Sequence, residues 1–323
     1  MGMGPLGIKM YQYALDKPRL QVVGAVDLNE AIIGQDLGKF CGRGETGIRI
    51  SPSLADVMRE ASADVVVLTT VSDLERAAPQ IREILHAGLS VVSTCEELSY
   101  PYETAPALAR EIDALAKEKG LAVLGTGINP GFLMDSLPSF LTGVCRQVEK
   151  VEVNRYQDAQ FRRLPFQRKI GAGLNMKAFE EKKKAGTLRH VGLTESLHFI
   201  AAQLGWKLDR TEDIISPVVA QRQIETDQMT IRPGQATGVN QIGNGYVNGE
   251  LRIKLTFQAA VGERDSYDEV LITGEPNVYS RIAGGINGDV GTCAITLNAI
   301  HSVLSAQPGL RTMADVPMVT CKA

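Results

Sequence analysis

Three glycines near the amino end, Gly2, Gly4 and Gly7, stand in the spacing G-x-G-x-x-G, with Pro5 and Leu6 completing the loop. That spacing suits a pyrophosphate. Side chains at the glycine positions would obstruct the tight turn, the approach of backbone N–H groups to the phosphates, and the packing of the following helix on its strand. Asp27 follows Gly7 by about 20 residues, where an acid meets a ribose 2′-hydroxyl. A second group, the adjacent acids Glu96 and Glu97, follows a β-branched run that ends in Ser93 and Thr94. Carboxylates at a strand end suit proton transfer to a bound molecule, because open α/β sheets take ligands at their carboxyl edge. A polar, glycine-rich turn from Gly125 to Phe132 reaches the same edge. The expected dinucleotide contacts are therefore Gly2, Gly4, Pro5, Leu6, Gly7, Asp27, Thr69, Thr70, Ser93, Thr94, Asn129 and Pro130.

These residues need a parallel sheet to position them. Leu20 to Asp27, Ala63 to Thr70, Leu89 to Thr94 and Leu121 to Gly125 read as strands. Ile8 to Leu15, Ser53 to Ala61, Asp73 to Ala87 and Thr104 to Lys119 read as helices, with Gly88 and Gly120 at two exits. Beyond Gly127 the texture changes. Val148 to Ala159 and Asp213 to Ala283 alternate apolar with polar residues, punctuated by Gly-Asn and Asn-Gly turns, as half-exposed antiparallel strands do. Helices are expected over Met176 to Ala185, Leu193 to Leu204 and Val290 to Leu304. The fold class is α/β: a Rossmann-type doubly wound parallel sheet with a second α+β domain on a mostly antiparallel sheet. Residues 1–128, completed by 288–323, form the dinucleotide-binding domain, and 129–287 the substrate-binding and dimerisation domain. Only Met1 precedes the glycine loop, so the first strand of the pattern is missing, and about six apolar residues are expected upstream in the functional protein.

Composition excludes several classes of partner. A chain of 323 residues with formal net charge −3 and 22% charged residues lacks the basic excess of nucleic-acid binders. No apolar run reaches the roughly 18 residues that span a bilayer, and the start does not resemble a signal peptide, so a soluble, cytoplasmic protein is expected. The five cysteines are scattered without a C-x-x-C pair, which argues for reduced, buried thiols and against a metal site.

With these motifs in view, the sequence resembles the family of 2,4-diaminopentanoate dehydrogenases and native amine dehydrogenases, distant relatives of dihydrodipicolinate reductase. The resemblance runs over nearly the whole chain. It rests on the glycine loop, Cys95 to Pro101, Gly125 to Phe132, Arg162 to Gly173, His190 to Ser196, and Gly288 to Thr292. It implies reversible NAD(P)-dependent deamination of a small amine to a ketone or aldehyde plus ammonia, in a homodimer. The paired histidines with a following lysine that mark dihydrodipicolinate reductase have no counterpart here. Family members use a glutamate of the acidic motif, which is Glu96 or Glu97 in this chain; Glu96, nearer the strand, is the first choice. The resemblance also puts His190 near the substrate, and Arg162, Arg163, Lys169 and Thr292 are candidate substrate contacts. His86, His198 and His301 read as structural. NAD or NADP is the expected cofactor, with NAD favoured because the Asp27 carboxylate repels a 2′-phosphate. Loop residues such as Asn29 are compatible with NADP, and Lys39 and Arg43 follow further along the chain. Reduction of a cyclic imine and noncatalytic nucleotide sensing remain the alternatives.

Overall fold

The computed structural model describes residues 1–162 and 164–321. It divides into two compact units, one made of Met1–Phe132 with Asn287–Ala323, the other of Leu133–Ile286.

The first unit begins with helix α1 (Pro5–Ala14) and continues through β1 (Ala25–Val26), α2 (Leu37–Phe40), β2 (Ile50–Ser51) and α3 (Leu54–Glu60). It goes on through β3 (Val65–Leu68), α4 (Leu74–His86), β4 (Ser90–Ser93), α5 (Pro106–Lys119) and β5 (Ala122–Gly125). Strands β3, β4 and β5 pair in parallel. They are apolar runs because both sheet faces are covered. Val91 and Val123 pack with α4 and α5 on one face, whereas the next residues along, Val92 and Leu124, pack with Met10, Leu297 and Ile300 on the other. That alternation is the strand period of two, read from which helix each valine or leucine meets. Helix α4 starts at Asp73, whose carboxylate accepts from the Arg76 N–H, and α5 stops at Gly120, which is left-handed at φ +69°.

One expectation fails here. The strand read over Leu20 to Asp27 survives only as Ala25–Val26, paired with β2, while residues 20–24 join no ladder. A β-branched run becomes a strand only where a neighbouring backbone accepts its hydrogen bonds. The neighbour consists of two residues. Met1 donates to the Val67 carbonyl at 2.8 Å and accepts from the Thr69 N–H at 2.9 Å, and Gly2 donates to the Val26 carbonyl at 2.9 Å. Met1 and Gly2 thus lie between β3 and β1.

The second unit holds α6 (Ser136–Leu141), β6 (Gln147–Asp158), α7 (Leu164–Lys169), α8 (Met176–Lys184) and α9 (Leu193–Gln203). Then come β7 (Arg210–Val219), β8 (Ile224–Glu225), β9 (Thr230–Ile231), β10 (Ala236–Val247), β11 (Glu250–Ala260), β12 (Tyr267–Glu275) and β13 (Val278–Ala283). Six strands form one sheet in the order β13-β12-β6-β11-β10-β7. It is mixed, because β6 and β11 run parallel while the other pairs are antiparallel. The Asn248–Gly249 turn between β10 and β11 has both residues left-handed, at φ +53° and +77°, the geometry that favours Asn-Gly in tight hairpins. Along β6 the odd-numbered residues from Val151 to Gln157 are buried and the even ones half-exposed, so one face is core and the other open.

The chain returns to the first unit through α10 (Gly288–Leu304), capped by the Asn287 side chain, and β14 (Gly309–Arg311), which pairs in parallel with β5. Just before that return, the second unit grips residue 286. Arg155, 1% exposed, donates to Asp268 and to the Ile286 carbonyl, each at 2.8 Å; Gln157 donates to the same carbonyl, and the Ile286 N–H donates to Asp268 at 2.7 Å. Burial pulls the Arg155 guanidinium down to about 10 and pushes the Asp268 carboxyl up, with each partner opposing the shift of the other. Removing one partner strands a buried charge. Asp268→Ala is expected to cost about 3–5 kcal/mol of stability, read from urea unfolding followed by circular dichroism; a cost below about 1 kcal/mol would show that the pair is dispensable.

Candidate active site

The glycine loop closes on itself. Gly2 is left-handed at φ +90°, and a Cβ on Gly7 would lie 1.9 Å from the Gly2 carbonyl oxygen. A Cβ on Gly4 would meet nothing within 4 Å. Gly2 and Gly7 therefore serve the turn and its packing, whereas Gly4 leaves space outside the loop. Gly4 also caps α1, with Pro5 in the first turn, no capping side chain and no acid in that turn, so the helix start keeps its N–H groups and partial positive charge for an anion. A dinucleotide pyrophosphate fits this loop.

Side chains hold the loop from beneath. The Thr69 hydroxyl donates to the Gly2 carbonyl at 2.8 Å. Asp27 accepts from the Met3 N–H at 2.6 Å through one oxygen and from the Asn29 N–H at 2.8 Å through the other. Asp27 thus stands at the loop where a ribose hydroxyl would meet it, while Thr69 is turned to the loop backbone. Thr70 is exposed and packs against Gly2.

The acidic segment follows β4. Ser93 is buried, donating to the Leu68 carbonyl and accepting from the Cys95 N–H, which fixes the exit from the strand; Thr94 beside it is half-buried. Glu96–Ser99 then makes one 3₁₀ turn. The Glu97 carboxylate accepts from the Leu74 N–H at 2.9 Å, adding to Asp73 a second acceptor at the start of α4. Glu96 is half-buried on the same turn. Burial pushes the Cys95 thiol up to about 12, so it is a packed sulfur rather than a nucleophile. The turn lies directly on β5, because a Cβ at Gly125 would fall 2.5 Å from the Leu98 carbonyl carbon.

The third segment, residues 126–132, folds at Gly131, left-handed at φ +120°, where a Cβ would sit 2.4 Å from the Gly127 nitrogen. It is tied to β4 by Thr126 N–H to Ser93 carbonyl at 2.9 Å and to α10 by Ile128 N–H to the Thr292 hydroxyl at 3.3 Å. Two buried polar atoms here, the Asn129 amide nitrogen and the Thr126 hydroxyl, have no hydrogen-bond partner among the described residues. Buried donors left without partners mark a place where a ligand supplies them. Thr126 carries no sequence signal beyond its place in the glycine-rich turn.

Thus the first unit gathers the glycine loop, Asp27, Thr69, Thr70, Ser93 to Glu97, Asn129, Pro130 and Thr292 around the carboxyl ends of its parallel strands. The Thr292 hydroxyl accepts from the Ile128 N–H of the 126–132 segment. The second unit holds the other candidates. Arg162 is buried over the Phe166 ring at 4.1 Å and points one nitrogen at Gln157. Lys169 is exposed at the end of α7, and it lines with Phe166, His190 and Phe257 a small cavity of about 20 Å³. Arg163 lies outside the described residues. The His190 ring packs on Phe257 at 4.5 Å, and its backbone is gripped from both sides by Gln241, which accepts from the N–H at 2.7 Å and donates to the carbonyl at 3.1 Å. Gln241 was not foreseen, since a glutamine inside an alternating strand looks like any solvent-facing polar residue; it is fully buried. No cluster able to hold a metal occurs among the described residues.

Comparison with known proteins gives the family and the fold. Residues 132–323 match the 2,4-diaminopentanoate dehydrogenase C-terminal domain, and residues 1–94 match the dihydrodipicolinate reductase N-terminus. The 2,4-diaminopentanoate dehydrogenase of Acetoanaerobium sticklandii is 34% identical over 326 residues, spanning 98% of this chain and 92% of that protein. An amine dehydrogenase of Streptomyces virginiae is 23% identical, spanning 98% and 95%. The solved amine dehydrogenase of Mycobacterium smegmatis superposes with a TM-score of 0.86 at 25% identity, over 99% of this chain and 96% of that one. Fold and crevice together define a nicotinamide-dinucleotide oxidoreductase of the Rossmann class. Within that class, the chain belongs to the 2,4-diaminopentanoate dehydrogenase family.

The bond from Leu74 to Glu97 has a consequence for stability. Glu97→Ala is expected to lose about 1 kcal/mol through the α4 start, while Glu97→Gln, which retains an acceptor for Leu74, loses less. Urea midpoints of the two variants decide this; equal losses would remove the capping role.

Proposed function

We propose that the protein catalyses the reversible oxidative deamination of a small amine to a ketone or aldehyde plus ammonia, with Glu96 as the acid/base. The observation that carries the assignment is the commitment of the Glu97 carboxylate to the start of α4. Glu96, nearer the end of β4 and half-buried on the same turn, is assigned to the reacting amine. Family membership and the names of the relatives support the reaction class.

The balanced reaction takes an ammonium substrate, the oxidised nicotinamide dinucleotide and water to carbonyl product, ammonium, reduced dinucleotide and one proton. The nicotinamide, when bound, takes up the hydride. The Glu96 carboxylate accepts the proton from the substrate ammonium, so that a lone pair can assist C–H cleavage. The same carboxylate stabilises the cationic iminium by its charge and positions the water that adds to it. In the second unit, Arg162, Lys169 and His190 are proposed to contact the remainder of the substrate. In the first, the Asn129 amide and Thr126 hydroxyl are proposed to bind the cofactor's polar edge, beside the glycine loop that takes its pyrophosphate.

A decisive test pairs kinetics with binding. Glu96→Gln is expected to lower turnover by about 10²–10⁴-fold with little change in NADH affinity, whereas Glu97→Gln retains most activity. Stopped-flow turnover and NADH fluorescence titration measure the two effects, and wild-type rates in Glu96→Gln would overturn the assignment. Ketone-dependent NADH oxidation should also require ammonium; turnover of a cyclic imine without it would favour a reductase instead.

For the cofactor we propose a preference for NAD. A 2′-phosphate near the Asp27 carboxylate would meet a like charge worth about 1–4 kcal/mol at roughly 4 Å in a partly solvated site. Fluorescence titration should show NADH binding at least tenfold tighter than NADPH, with Asp27→Ser narrowing the gap; equal affinities in the unaltered protein would refute it. The open face of the six-stranded sheet, where Tyr156 stacks on Tyr267 at 5.0 Å, is proposed as the homodimer face.

A further inference from the structure

Four residues on one face of the six-stranded sheet form a patch beneath His190. Gln241 and Gly243 stand two apart on β10 and so share a face; Phe257 of β11 pairs with Gln241, and Asp213 of β7 pairs with Gly243. This is the face that α9 covers, because a Cβ on Gly243 would come within 3.0 Å of the Leu193 side chain. Gln241 is 0% exposed, and both hydrogens of its amide are engaged. Its oxygen accepts from the His190 N–H at 2.7 Å, while its nitrogen donates to the His190 carbonyl at 3.1 Å and to the Asp213 carboxylate at 2.8 Å. The two bonds to residue 190 set which way round the amide lies, since the reversed amide would turn its donors on the His190 N–H. Asp213, exposed on the edge strand, takes the remaining hydrogen in a charge-assisted bond.

The grip continues into the helix. Gly192, left-handed at φ +102°, leads the chain from His190 into α9, and Leu193 is then seated on Gly243. The imidazole rests on Phe257, the cross-strand partner of Gln241, with ring centroids 4.5 Å apart. Backbone and ring of one histidine are thus fixed by two paired residues of the sheet. A buried amide costs desolvation that its bonds must offset, and what these bonds add over an apolar side chain is direction. We propose, on the reading of His190 as a substrate contact, that Gln241, backed by Asp213, is the positioning residue that holds the His190 imidazole in place for the substrate. Gln241 acts through His190 and not on the reacting atoms, so its loss is felt in substrate binding rather than in the chemical step.

The test compares Gln241→Met, Asp213→Ala and His190→Asn in the full-length enzyme, with 2,4-diaminopentanoate as the probe amine. Methionine keeps the length of the side chain and removes its bonds, and Asp213 is exposed enough for its replacement to leave the fold intact. Gln241→Met is expected to raise KM about tenfold while kcat and NADH affinity change by less than about twofold, and Asp213→Ala to raise KM about threefold. The chain has 4 histidines, so the ring signals of His190 in the nuclear magnetic resonance spectrum are assigned by their loss in His190→Asn. In Gln241→Met those signals are expected to lose the ring-current shift from Phe257, while those of His86 and His301, in the other unit, stay in place. A raised KM with unmoved His190 signals would assign the effect to packing and overturn the proposal. So would an unchanged KM in Gln241→Met when His190→Asn raises it. An unchanged KM in His190→Asn would remove the substrate reading of His190 itself, and the role of Gln241 with it.

Discussion

The close approach of Gly7 to the Gly2 carbonyl is the contact on which the cofactor unit turns. A single methyl group there would collide at 1.9 Å, and the loop could not fold back over the start of α1. With the loop closed, the helix points its uncapped N–H groups past Gly4 into open space, and its partial positive charge is available to an anion. The same economy recurs along the crevice. Gly125 lets the acidic turn lie on β5, and Gly131 lets the Asn129 turn fold back on Gly127. Each of these three contacts depends on one backbone meeting another without a side chain between them.

Around these contacts, the demand of helix starts and loop backbones for hydrogen-bond partners sorts the polar side chains. Asp73 and Glu97 satisfy the start of α4, Asn287 the start of α10, and Thr69 and Asp27 the glycine loop. Polar residues consumed in this way position the site. Thr126 and Asn129, in the 126–132 segment, have a buried hydroxyl and amide nitrogen without a hydrogen-bond partner among the described residues, and so have bonding capacity to offer a ligand.

The second unit solves a different problem with a sheet that has one dry face and one open one. Its dry face contains a charged pair, Arg155 with Asp268, in a place where hydrophobic residues would pack at lower desolvation cost. What the pair gains is directionality. Between them, Arg155, Gln157 and Asp268 satisfy both backbone groups of Ile286, the last residue before the chain leaves for α10, and apolar packing cannot specify a backbone in that way.

The helices of the first unit were legible in the sequence because their apolar spacing, Asp73 cap and Gly120 stop are local properties of consecutive residues. The valine runs of β3 to β5 and the Asn248–Gly249 turn were legible for the same reason. The glycine loop, Asp27 and the acidic pair could be recognised from residue type and spacing alone. Non-local pairing could not. Residues 20–24 have strand composition yet no ladder, since a strand is defined by its neighbour, and β14 is too short to show a period. Parallel pairing of β6 with β11 joins residues about a hundred positions apart, which no local pattern encodes. The capping of α4 by Glu97 also belonged to the tertiary structure. The sequence supplied two identical carboxylates in adjacent positions, and only the approach of the Leu74 N–H, from a different segment of chain, made one of them a cap.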